Sequence, residues 1–119
     1  MRTQDPILCY TLDDVVAMLQ LEKEDIRELI PSKVILAMKL ADGELCFPMF
    51  QFPELDFSGD LISVFQQFPA HWDGWEVTSW FHREHELLGD LPVNLPRTAE
   101  NLSRMKLIID LETGLALLP

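Results

Sequence analysis

The residues with the means to do chemistry are few, and their spacing decides what they can do. His82-Arg83-Glu84-His85-Glu86 puts two histidines at i and i+3, where they can share a helix face and hold a metal, with Glu86 nearby. A zinc-protease helix needs His-Glu-x-x-His, and both the spacing and the order differ here. No third ligand stands at a recognisable distance, so the run reads as a solvated helix end and no metal is assigned. Cys9 and Cys46 would each need a histidine partner to act as a nucleophile, and every histidine lies far along the chain. Both cysteines read as small buried apolar residues. Ser58, Ser63, Ser79 and Ser103 sit in no Gly-x-Ser-x-Gly context, and the five glycines form no phosphate-cradling loop. The expectation is a protein that is not an enzyme, with no catalytic residue and no cofactor.

Binding chemistry remains. Trp72, Trp75 and Trp80 lie within nine positions of one another. Trp75 and Trp80 follow helical spacing and are expected in the core, whereas Trp72 suits a core or an interface anchor equally. The candidate DNA-binding cations are Lys23 and Arg27, on the outer face of a short helix, with Lys33 beside it and Lys39 on a following hairpin. Glu24 and Glu28 share the outer face with Lys23 and Arg27, so the charges there cancel. A helix-turn-helix kept only as a scaffold is the competing reading.

The elements that position these residues follow from periodicity. Leu12, Val15, Val16 and Leu19 fall at i, i+3, i+4 and i+7, with Thr11 as N-cap and Asp13 and Asp14 at the positive end of the helix dipole. A second helix is expected over 22–30, with Leu21, Ile26, Leu29 and Ile30 inward and Pro31 ending it. Two apolar runs at 34–40 and 45–47 flank Asp42-Gly43, a hairpin signal that favours strand over a buried helix. Helix, turn, helix and hairpin make a small winged helix. Phe47-Pro48-Met49-Phe50-Gln51-Phe52-Pro53 reads as an irregular junction. Beyond it Leu61, Val64, Phe65 and Phe68 mark a helix that Ser58 or Asp60 caps and Pro69 stops. Asp73 caps another that begins at Gly74-Trp75. A last helix runs over 98–111, with Leu102, Met105 and Ile109 inward and Gly114 closing it.

The chain has 119 residues, 48% of them hydrophobic and 24% charged, a globular composition for one domain or two very small ones. No apolar run approaches the roughly 18 residues of a membrane span, and the first residues lack a signal-peptide core. Two cysteines are too few for a disulfide scaffold, so a cytoplasmic location is expected. Twenty acidic against nine basic residues give a net charge of −11, which repels nucleic acid and suits a basic protein partner. The expected fold is mainly α with a small β-hairpin wing: a winged helix-turn-helix over 1–52 packed on a helical bundle over 53–119.

The order of motifs resembles a known pairing. Tyr10-Thr11-Leu12-x-x-Val15, the second helix, and a wing ending in Phe47-Pro48-x-Phe50-Gln51-Phe52 are similar to the winged-helix module of MerR and excisionase proteins. Asp73-Gly74-Trp75, Trp80-Phe81 and Leu87-Leu88-Gly89-Asp90-Leu91-Pro92 resemble a ParS-like or Xre-type toxin-binding domain. Asp90 stands where that family's turn has its second glycine, and Glu84-His85 replaces the Pro-Asn before it. The resemblance implies an antitoxin-like regulator. In that family the N-terminal module binds operator DNA, and the C-terminal domain caps a RES-type toxin that consumes NAD. The contact region it implies here is 108–118, with Ile108, Leu115, Leu117 and Leu118 as partner-binding residues and Ile109 facing the protein's own core. The partners so implied are a toxin or other protein and operator DNA, with a homodimer also admitted and no membrane. A DNA-binding transcriptional regulator without a toxin is the alternative.

Overall fold

Three polar side chains start three of the helices by the same local chemistry. Thr11 accepts from the amide of Asp14 at 3.1 Å while Asp14 accepts from the amide of Thr11 at 3.0 Å, and α1 follows as Leu12–Leu19. The Asp73–Glu76 pair repeats that reciprocal bond at 2.9 and 3.0 Å and begins α4, Gly74–Phe81. Thr98 accepts from the amide of Asn101 at 3.1 Å ahead of α5, Ala99–Thr113, which ends at Gly114. Each cap satisfies an amide that the first helical turn leaves without a partner. Between them lie α2, Lys23–Leu29, and the single turn α3, Ile62–Phe65. This computed structural model describes residues 7–55, 57 and 59–114.

The strands are short. β2, Met38–Lys39, and β3, Leu45–Pro48, pair antiparallel across a turn in which Gly43 takes a φ of 89° and Asp42 accepts from the amide of Glu44 at 2.9 Å. Only glycine adopts that φ without strain. A third strand, β1, Cys9–Thr11, lies on the other side of β3, giving the order β1-β3-β2 with Tyr10 opposite Phe47. The fold is therefore mainly helical with a small antiparallel sheet. The strand expected over 34–40 shrinks to two residues because the backbone before it is bonded elsewhere: the amides of Val34 and Ile35 donate to the carbonyl of Leu29 at 3.1 and 3.3 Å. Gln51 Oε1 accepts from the amide of Leu36 at 2.8 Å, and Gln51 Nε2 donates to the carbonyl of Leu36 at 2.7 Å. A side-chain amide thus occupies the backbone groups that a neighbouring strand would have used.

The extended segment through Leu36 separates two cores. Ile35 and Ala37 point into a cluster with Val15, Ile26, Phe47 and Phe52, whereas Leu36 points the opposite way into the larger cluster. That is the alternation of extended backbone. The larger cluster is built on rings: Trp80 lies 5.3 Å from Phe68 and 5.1 Å from Phe81, with Phe65 5.8 Å from Phe81, all near edge-to-face. Met105, Ile108 and Ile109 close it from α5. Glycine is required where α4 meets β2, because a Cβ on Gly74 would lie 1.7 Å from the carbonyl oxygen of Ala37.

Several expectations need correction. Leu21 is exposed, and Leu29 and Ile30 are only half-buried. α3 ends at Phe65, although the turns after it still bury Phe68. Asp60 lies in a 3₁₀ turn, ion-paired with Arg97 at 3.5 Å, and does not cap a helix. Ser58 lies outside the described residues. Trp75 is 43% exposed. On a helix it stands about 140° around the axis from Trp80, too far for both to face one core.

Candidate partner-binding surface

The four cations proposed for DNA do not gather on the outer face of α2; Lys33 and Lys39 instead line one cleft. Lys23 pairs with Asp13 at 3.4 Å, both side chains being well exposed. Arg27 is exposed on α2 beside Glu24 and Glu28. Lys33 is half-buried with a left-handed φ of 63°, and its Nζ donates to the carbonyls of Phe68 and Pro69 at 3.3 and 3.2 Å. It ties the chain after α2 to the chain after α3. Lys39 is exposed on β2. Arg27 and Lys39 are thus the two left facing solvent without an ion pair among the described residues.

α5 presents a different surface. Met105, Ile108 and Ile109 are buried, so Ile108, expected at a partner, belongs to the protein's own core at 4% exposure. Leu107 and Leu111 stand on the opposite side of the helix, 57% and 42% exposed. Being i and i+4, they lie side by side. Arg104, one turn earlier on that side, donates from Nη2 to the carbonyl of Leu87 at 2.7 Å, and so brings Leu87, 64% exposed, beside the same face. Leu107 and Leu111 therefore form an exposed apolar pair on α5, with exposed Leu87 tied to that side of the helix through Arg104. Leu115, Leu117 and Leu118 lie outside the described residues. The sequence carried a signal for Leu107 and Leu111, since neither falls on the stripe of Leu102, Met105 and Ile109. An apolar pair off the buried stripe has no core to enter.

The C-terminal turn of α5 is anchored by a node that periodicity missed. His85 is buried, and both ring nitrogens face oxygen acceptors: Nδ1 lies 2.6 Å from Glu112 Oε2, and Nε2 lies 2.8 Å from the carbonyl of Trp80. Glu112 Oε1 also accepts from Trp80 Nε1 at 3.0 Å and from Arg83 Nη2 at 3.4 Å. His82 turns the other way, its Nδ1 lying 2.8 Å from the carbonyl of Thr78. The two histidines therefore serve separate contacts, and His85 is a core residue where a solvated helix end was expected. Among the described residues no group of three histidine, cysteine or acidic side chains converges on a metal position.

Cys9 and Cys46 are half-buried on neighbouring strands, two register positions apart across the β1–β3 pair. Burial pushes the Cys9 thiol up from its ordinary 9.0 to about 12, with a hydrogen bond to Cys46 and that thiol's charge as lesser causes. A thiol so shifted is a poor nucleophile at neutral pH. No helix among the described residues is long and apolar enough to cross a membrane. No family model, curated protein or solved structure matches this chain.

Proposed function

We propose that this protein is an antitoxin-like, non-enzymatic regulator that acts by binding a partner protein. The observation that carries the proposal is the exposed pair Leu107 and Leu111 on α5, with exposed Leu87 tied to the same side through Arg104; of these Leu111 falls within the 108–118 region where the family resemblance puts toxin contacts. Apolar side chains clustered on an otherwise acidic surface suit a partner with an apolar groove and a basic rim. The net charge of −11 steers such a partner toward this surface. Occlusion by this surface is the mechanism, and a RES-type toxin is the partner class the resemblance implies. In this reading α1, α2 and the hairpin form a winged helix-turn-helix, and the location is the cytoplasm.

The test is co-purification from native cells with mass spectrometry of what stays bound, followed by titration of the purified partner. Replacing Leu107 and Leu111 with Asp weakens binding at least a hundredfold and leaves the melting temperature within about 2 °C, because exposed side chains contribute little to folding. The same substitutions at Leu115 and Leu117 extend the test to the chain end. Variants that bind as the parent does would sink the reading. Operator DNA is the second ligand proposed, through Arg27 and Lys39. Its signature is affinity that falls with salt and weakens in Arg27→Ala and Lys39→Ala. Unchanged affinity in both rejects DNA contact.

A further inference from the structure

Where the two cores meet, the surface opens into a cleft of about 620 Å³, within the size range of small-molecule sites. Its walls come from both sides of the junction. Ile35, Phe65 and Val77 are buried side chains that face it, and Trp72 and Trp75 stand along it. Trp75 is held in place although exposed, since its Nε1 donates to the carbonyl of Lys39 at 2.9 Å. Two of the nine basic residues of this acidic chain, Lys33 and Lys39, also line the cleft. Lys33 commits two N–H donors to backbone carbonyls and keeps a third, while Lys39 makes no ion pair among the described residues. The acid in the lining, Asp73, spends its carboxylate on the α4 cap, accepting from the amide of Glu76.

We infer that this cleft binds a small amphipathic anion, an aromatic or branched aliphatic carboxylate whose apolar body lies between Trp72 and Trp75 and whose charge meets Lys33 and Lys39. The charge argument is specific to this place. A chain of net charge −11 repels anions over most of its surface, and here two ammonium groups border an apolar, tryptophan-walled space. Because the walls come from both sides of the junction, a bound ligand braces the two cores against each other. No residue of α5 lines the cleft, so the inference stands apart from the partner-binding reading.

The full-length protein is titrated with 1-naphthylacetate and, separately, with its uncharged amide, following tryptophan fluorescence and heat. The expected result is saturable binding of the carboxylate, at least tenfold weaker binding of the amide, and at least fivefold weaker carboxylate binding in Lys39→Gln. Ala70→Trp, an exposed residue at the cleft's edge, fills the space without touching either core and abolishes binding. No saturable binding of the carboxylate overturns the inference, as does equal binding of acid and amide. Sedimentation checks a second copy of the chain as occupant: a dimer that Ala70→Trp converts to monomer also overturns it.

Discussion

Cys9 has half-buried surroundings and a thiol neighbour, and this makes its proton hard to remove. The folded chain keeps a proton up to about pH 12 that the unfolded chain releases near its ordinary 9.0. Stability from that difference is complete below pH 9 and is lost as pH rises toward 12. The unfolding free energy of Cys9→Ala should therefore fall less steeply over this interval than that of the parent. Parallel curves in denaturant titrations would show that Cys9 loses its proton equally in both states. His85 illustrates the same scale in another way. Its ring is buried with Glu112 Oε2 2.6 Å from Nδ1 and the carbonyl of Trp80 2.8 Å from Nε2, so a polar side chain sits in the core held against polar partners on both sides.

At the scale of the element, the helices begin where a short polar side chain can reach back to an amide. Asp73 is the most informative of these caps, because α4 carries Val77, Trp80 and Phe81 into the larger core while Gly74 sits against Ala37. Asp73→Ala removes the cap bond and costs about 1 kcal/mol. Urea unfolding should show a lower midpoint with an unchanged slope, since no buried surface is lost. A midpoint equal to that of the parent would mean that packing alone fixes the start of α4. α5 shows the limit of helical periodicity. It is apolar on two sides, and only the side that meets Phe68, Trp80 and Phe81 is covered.

For the whole molecule the question is what makes two small cores act as one. Gln51 is buried in the junction and bonds both backbone groups of Leu36, the residue that crosses from the smaller core to the larger. Gln51→Leu keeps the volume and strands a buried amide and a buried carbonyl, at a cost of about 2–4 kcal/mol. The loss should appear as a broadened or two-step thermal transition, as the cores come apart before they melt. A single sharp transition at the parent's midpoint would leave Gln51 without that role. Lys33 adds a second tie between the chain after α2 and the chain after α3.

Local rules determined a good deal of this fold. Thr11 and Asp73 were legible as caps, Asp42-Gly43 as a turn and Gly114 as a helix end, because each depends on neighbours within a few positions. Met105 and Ile109 were legible as core from their spacing. The tertiary structure decided what depends on distant partners. β1 exists because β3, over thirty residues later, supplies its hydrogen bonds. The 34–40 run is mostly not a strand because the Leu29 carbonyl takes the amides of Val34 and Ile35 and the Gln51 side chain takes both backbone groups of Leu36. Ile108 is buried and Leu107 exposed because the rings of α3 and α4 cover one side of α5 and leave the other to solvent. Sequence spacing shows which residues share a face, but only packing shows which face is covered.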